Sequence, residues 1–95
     1  MKKILCAAIH FKTGKKHSYS PKNIEDGIVI CGYRHSNIIA IACMIEELNI
    51  DEGIQGFLTD ENEFVTREEA LIIAREANQL KKNTHPLKLY SEDLY

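Results

Sequence analysis

The alternation of apolar and polar positions divides the chain into short strands and two helices. Lys3–Phe11 is rich in Ile, Leu, Cys and Ala and runs into Lys12-Thr13-Gly14-Lys15. Gly14 can take a positive φ at a hairpin turn, so the pattern predicts a strand that returns through Lys16–Tyr19. Ser20-Pro21 ends that pairing, because proline has no amide hydrogen to donate. Beyond the turn signal Glu25-Asp26-Gly27, the run Ile28, Val29, Ile30, Cys31 predicts a mostly buried strand over Gly27–Tyr33. Its flanking glycines and β-branched residues favour strand over buried helix.

From Asn37 to Asn49 the period changes. Ile38, Ile41, Ala42, Ile45 and Leu48 recur at helical spacing, with Glu46 and Glu47 off the stripe. Ser36 or Asn37 is placed to cap this helix. Its β-branched residues form helix poorly in isolation, so packing must hold it. Ile54–Leu58 predicts a further strand, Asp60-Glu61-Asn62 a turn, and Glu63–Val65 a short return. Thr66-Arg67-Glu68-Glu69 fits the capping box and opens a helix whose inner face carries Ala70, Ile73, Ala74, Ala77 and Leu80. Lys81–His85 is a basic loop, and Leu87–Tyr95 a tail. The order predicts an α+β fold, a largely antiparallel β-sheet with two main helices, in a single small domain over residues 1–95.

Composition narrows the reading. The chain has 95 residues, 44% of them apolar and 27% charged, which excludes disorder and leaves room for one modest core. Apolar runs are too short for a membrane helix, so the chain is expected to be soluble and cytoplasmic. The net charge of −2 hides an asymmetry. Residues 1–34 carry a balance of +5 and residues 46–76 a balance of −8. Binders of long nucleic acid are usually basic overall, whereas a small anion needs only a local basic pocket, which the N-terminal third could supply. The cysteines Cys6, Cys31 and Cys43 lack paired spacing and sit in apolar runs, so they read as buried, reduced thiols. His10, His17, His35 and His85 offer no ligand pairs, and no metal or other cofactor is expected.

Two segments can carry chemistry. Gly32-Tyr33-Arg34-His35-Ser36-Asn37 runs from a strand end into a helix start, where free amides and the helix dipole favour an anion. Arg34 adds a planar fork of donors suited to phosphate. The alternative is that Arg34 pairs with an acid of residues 46–76 while Ser36 and Asn37 only cap. The second segment is Gln55-Gly56-Phe57-Leu58-Thr59 with Phe64-Val65-Thr66-Arg67. Phe57 on a strand reads first as core and second as an aromatic that stacks on a base. Arg67, in a helix's first turn, sits where acids are preferred and hints at a partner or ligand. No activated nucleophile, phosphate-binding glycine loop or paired-histidine motif is present.

Cys6-Ala7-Ala8-Ile9, Arg34-His35, Gln55-Gly56-Phe57, Phe64-Val65-Thr66-Arg67-Glu68-Glu69-Ala70, Asn78-Gln79-Leu80 and Leu89-Tyr90-Ser91-Glu92-Asp93-Leu94-Tyr95 occur together in that order. The set resembles the phage-encoded Thoeris anti-defence proteins of the first type, along essentially the whole chain. The resemblance implies a sponge. Such proteins bind glyco-cyclic ADP-ribose, the signal made from NAD by a TIR-domain enzyme, and do not cleave it, so the downstream effector stays off. It implies binding rather than catalysis, no cofactor, and work in the cytoplasm of the infected host. It also implies a homodimer or hexamer, with cyclic di- or trinucleotides held by some members at separate sites. On this resemblance Arg34 matches a phosphate-contacting arginine and Phe57 a base-stacking aromatic. Thr66 falls where relatives often have Asn or Asp. Lys82-Asn83-Thr84 aligns with a ligand-contacting loop whose arginine is missing here, and Asn78 replaces a glycine. With His35 and Arg67, read above from their positions, the candidate ligand-binding set is Arg34, His35, Phe57, Thr66, Arg67, Asn83 and Thr84. Two other readings compete: a small nucleotide-cleaving enzyme with His35 as base or acid, and a protein that binds a host factor through its acidic middle segment.

Overall fold

In the computed structural model, which describes residues 1–18 and 20–95, the strands β1 (Ile4–Phe11), β2 (Ile28–Gly32), β3 (Ile54–Thr59) and β4 (Phe64–Thr66) form one sheet in the order β2-β1-β3-β4. Every pairing is antiparallel. The helix α1 (His35–Ala42) joins β2 to β3, and α2 (Arg67–Glu76) follows β4 directly. This is the α+β architecture read from the pattern. Ala7 faces Gly32 on one side and Phe57 on the other, and Phe57 faces Val65, so these residues share a sheet face. Against that face pack Ile38 and Ala42 of α1, Ala70, Leu71 and Ala74 of α2, and Leu89 and Leu94 of the tail.

The expected hairpin after β1 does not form. Phe11 pairs with Ile28, and among the described residues between them Lys16 meets Gly27 through an isolated bridge. Tyr19, the end of the expected return strand, lies outside the described residues. Asp26 ties the turn to the start of β2: its carboxylate accepts the Gly14 amide at 2.7 Å and the Thr13 amide at 3.3 Å, so both turn amides are satisfied there. Gly27 is required here, with φ at +94° and an ideal Cβ only 2.0 Å from the Phe11 carbonyl oxygen.

The first helix starts earlier and ends sooner than its periodicity suggests. Arg34 takes the cap position in an extended conformation, and Asn37 reaches back to accept the Arg34 amide at 2.9 Å. After Ala42 the chain continues in tight turns, with Met44 bonded to Ile41 and Ile45 to Ala42 at 3.0 Å each. The β-branched isoleucines carry little helix propensity, and Glu46 and Glu47 would sit at the negative end of a longer dipole. Helix α2 follows its signals more closely. Thr66 accepts the Glu69 amide at 3.2 Å, and Glu69 accepts the Thr66 amide at 3.1 Å.

The tail is covered by its own chain. Leu89 and Leu94 are buried, Ser91–Asp93 forms a short 3₁₀ turn, and buried Asp93 organises the segment. One carboxylate oxygen of Asp93 accepts the Thr84 amide and hydroxyl, and the other accepts the Tyr90 amide.

Candidate functional site

The strand-to-helix turn after β2 places Arg34 at the positive end of α1, whose first turn holds no acid. One guanidinium nitrogen donates to the backbone oxygen of Tyr95, 61 residues away in sequence. The guanidinium carbon lies 4.8 Å from the centre of the Tyr33 ring and 5.1 Å from that of Tyr95, within cation–π range of both. The two rings are 4.5 Å apart, and the Tyr95 hydroxyl donates to the Tyr33 carbonyl at 2.7 Å. Burial raises the Tyr95 phenol above its ordinary value. Arg34 does not pair with an acid of the middle segment among the described residues. Its Nη1 is buried with no partner among them, a donor left in want of an acceptor.

His35 points inward from the next position. Its Nε2 lies 2.8 Å from the Gly56 carbonyl; since a carbonyl only accepts, that nitrogen carries the proton. The ring stands edge-on to Phe57 at 5.1 Å and 89°. Burial pulls the imidazole below its ordinary pKa, with the Gly56 bond working against it. Phe57 itself is 0% exposed. The ring is part of the core and has no open face, so the stacking role implied by the resemblance is not available to it in this arrangement.

At the start of α2, Thr66 spends its hydroxyl and amide on the capping box with Glu69, which leaves little for a ligand. Arg67 is engaged by the tail. It donates to the Leu89 carbonyl at 2.9 Å and to the Gln55 side chain, and it lies 4.6 Å above the Tyr90 ring. The Leu89 amide returns a bond to the Arg67 carbonyl at 3.0 Å. Burial lowers the Arg67 pKa, with Tyr90, Glu92 and Glu68 opposing; a guanidinium nonetheless stays charged. The position that looked misplaced for a helix dipole is thus explained by the tail. Thr84 joins the same tail through Asp93, while Asn83 is exposed.

The structure therefore brings Arg34, His35 and Arg67 together around residues 89–95. The charges of Arg67 and Glu92 both act on the His35 ring. Sequence reasoning missed Tyr33, Tyr90 and Tyr95 as the arginines' partners, although Tyr33 adjoins Arg34 and the tail ends in tyrosines. The local basic pocket expected of the N-terminal third has a counterpart in a cleft lined by Lys16, His17, Pro21 and Lys22, with Glu25 among them. That cleft belongs to the basic N-terminal third. Among the described residues no group of histidine, cysteine and acidic side chains is arranged to hold a metal, and no helix is long and apolar enough to cross a membrane.

A family model described as phage T4 y16D protein matches residues 3–95. The chain belongs to the phage T4 y16D protein family. This identifies it as a phage protein, and the match takes in both arginines and the tail that engages them. No curated protein and no solved structure matches the chain.

Proposed function

We propose that this phage protein is a sponge that binds glyco-cyclic ADP-ribose in the cytoplasm of the infected bacterium and holds it uncleaved, so that the Thoeris effector is not activated. The observation that carries the reading is the Arg34 guanidinium: its Nη1 is buried with no partner among the described residues, and the group lies between two tyrosine rings at the positive end of α1. A cyclic nucleotide with phosphates and a base offers what such a group lacks, an anion beside a planar ring. The aromatic role falls to Tyr33, which is 61% exposed, and to Tyr95. A phosphate reaching Arg34 takes the place of the Tyr95 backbone oxygen. Sequestration needs no differential stabilisation of a transition state, and the commitment of His35 to the Gly56 carbonyl supports binding over catalysis. Assembly into a homodimer or hexamer belongs to the same proposal. Exposed Leu5, Ile41 and Met44 are candidate contacts for it, and light scattering measures it.

The test is calorimetric titration with glyco-cyclic ADP-ribose isomers and cyclic trinucleotides, followed by denaturation of the complex and analysis of the released ligand. Tight binding with intact release is expected, and Arg34→Ala should weaken it by about 1–3 kcal/mol. Undiminished affinity in that variant removes the site. A second reading, nucleotide cleavage with His35 as base or acid, draws on the nearby charge of Glu92; release of an altered ligand would favour it.

A further inference from the structure

Strands β1 and β2 bring two of the cysteines together on the sheet face turned away from the helices. Ala8 stands opposite Cys31, and Cys6, two residues before Ala8, falls on the same face because side chains alternate along a strand. The neighbouring Ala7 and Ile9 point the other way, into the core. Cys31 is exposed and Cys6 half-buried, against the expectation of buried thiols. That expectation fails because β2 is an edge strand and the apolar runs of β1 and β2 present both faces of the sheet. The two thiols lie close enough for each to shift the other's titration. Cys43, also exposed, lies apart from them just beyond α1. The pair touches the Arg34 site at one point, where the Cys6 charge acts on the Tyr95 phenol.

We propose that Cys6 and Cys31 form a redox-modification site, a dithiol that exchanges with low-molecular-weight disulfides of the glutathione type and closes into a reversible cross-strand disulfide. The Cys6 thiolate attacks one sulfur of the small disulfide. A mixed disulfide forms on Cys6, and the other half leaves as a thiolate that takes up a proton from the Cys31 thiol. The Cys31 thiolate then attacks the Cys6 sulfur, forms the Cys6–Cys31 bond and expels the second small thiolate, which is protonated by solvent. The protein loses two protons and two electrons, and the small disulfide becomes two thiols.

The order of attack follows from the local bonding. Interaction with Cys31 brings the Cys6 thiol down to about 7, although partial burial works the other way. The same interaction pushes the Cys31 thiol up. Diagonal neighbours across an antiparallel pair have Cα atoms about 7–8 Å apart, at or beyond the wide limit for a disulfide. Closure therefore draws the end of edge strand β2 inward, and the bridge so made is strained and readily reduced. Reversibility suits a reducing cytoplasm, where lasting disulfides are rare.

The experiment uses the full chain carrying Cys43→Ser, incubated with oxidised glutathione and read by intact mass under denaturing conditions. The expected product has lost two hydrogens and carries no glutathione, and reductant restores it. Adding Cys31→Ser should trap a single glutathione on Cys6. A product bearing glutathione on both thiols, or no loss of hydrogens at any time, overturns the proposal. Peptide mapping of the oxidised wild-type chain gives a second reading independent of the variants: a Cys6–Cys31 linked peptide supports it, and exclusive linkage to Cys43 overturns it.

Discussion

Single residues set the limits of this fold most sharply where backbone passes backbone. Gly27 leads the chain into β2 at φ +94°, with the Phe11 carbonyl oxygen where a side chain would be. Gly27→Ala should therefore cost at least about 1–3 kcal/mol from the backbone conformation alone, with the steric overlap in addition. Urea unfolding would show it as a lower midpoint, and an unchanged midpoint would mean that the chain enters β2 differently. His35 supplies a pH dependence. Its folded pKa lies below the ordinary value, so the unfolded chain binds the proton more readily. The stability it contributes is complete above the unfolded value of about 6.5 and is lost as pH falls from there through the folded pKa. Unfolding midpoints compared between about pH 7.5 and about pH 5.5 should fall in the wild type and fall less in His35→Gln. Equal slopes would show that His35 is not the group responsible.

At the scale of elements, the end of α2 shows a left-handed cap made without glycine. Asn78 adopts φ +57°. Its amide bonds to Arg75 at 3.1 Å, and the next amide, of Gln79, bonds to Ala74 at 2.8 Å, the paired closure of a Schellman motif. Asparagine is one of the few side chains that visits this conformation readily. Asn78→Ala should cost about 1–2 kcal/mol and Asn78→Gly much less, by the same unfolding measurement. The motif aims Gln79 at β1, where its side chain accepts the Ile4 amide at 2.8 Å and donates to the Ile4 carbonyl at 2.9 Å. Much of this scale is legible in the sequence. The capping box at Thr66 and the apolar runs of β1, β2 and β3 are local signals with local causes. The tie between Asp26 and the turn at Thr13-Gly14 is not legible, because it joins residues twelve and thirteen apart. Arg34 and Arg67 can likewise be found by residue type and position, but their partners in the tail cannot, since only the finished fold brings Tyr95 and Leu89 to them.

For the molecule as a whole, the tail is the piece that makes the two helix starts one region. Asp93 is wholly buried and accepts from Thr84 and Tyr90 on both carboxylate oxygens. Asp93→Asn keeps the shape but replaces one acceptor by a donor, leaving a polar group unsatisfied at a cost of about 1–3 kcal/mol. Hydrogen exchange should quicken at the Leu89 and Tyr90 amides while the β1–β3 amides stay protected. Uniform loss of protection would mean instead that the tail and the sheet open as one unit.

The sheet order carries a kinetic consequence. Its middle seam joins β1 to β3, pairing Ala7 with Phe57, and β2 flanks β1 on the other side without reaching β3. Entropy of loop closure must be spent across that distance before the central ladder returns any stability. Refolding is therefore expected on the slower millisecond-to-second scale of non-local sheets. Until β3 arrives, the apolar stretch Ala7–Phe11 keeps an open edge, and in a crowded cell that interval is when neighbouring chains compete for it.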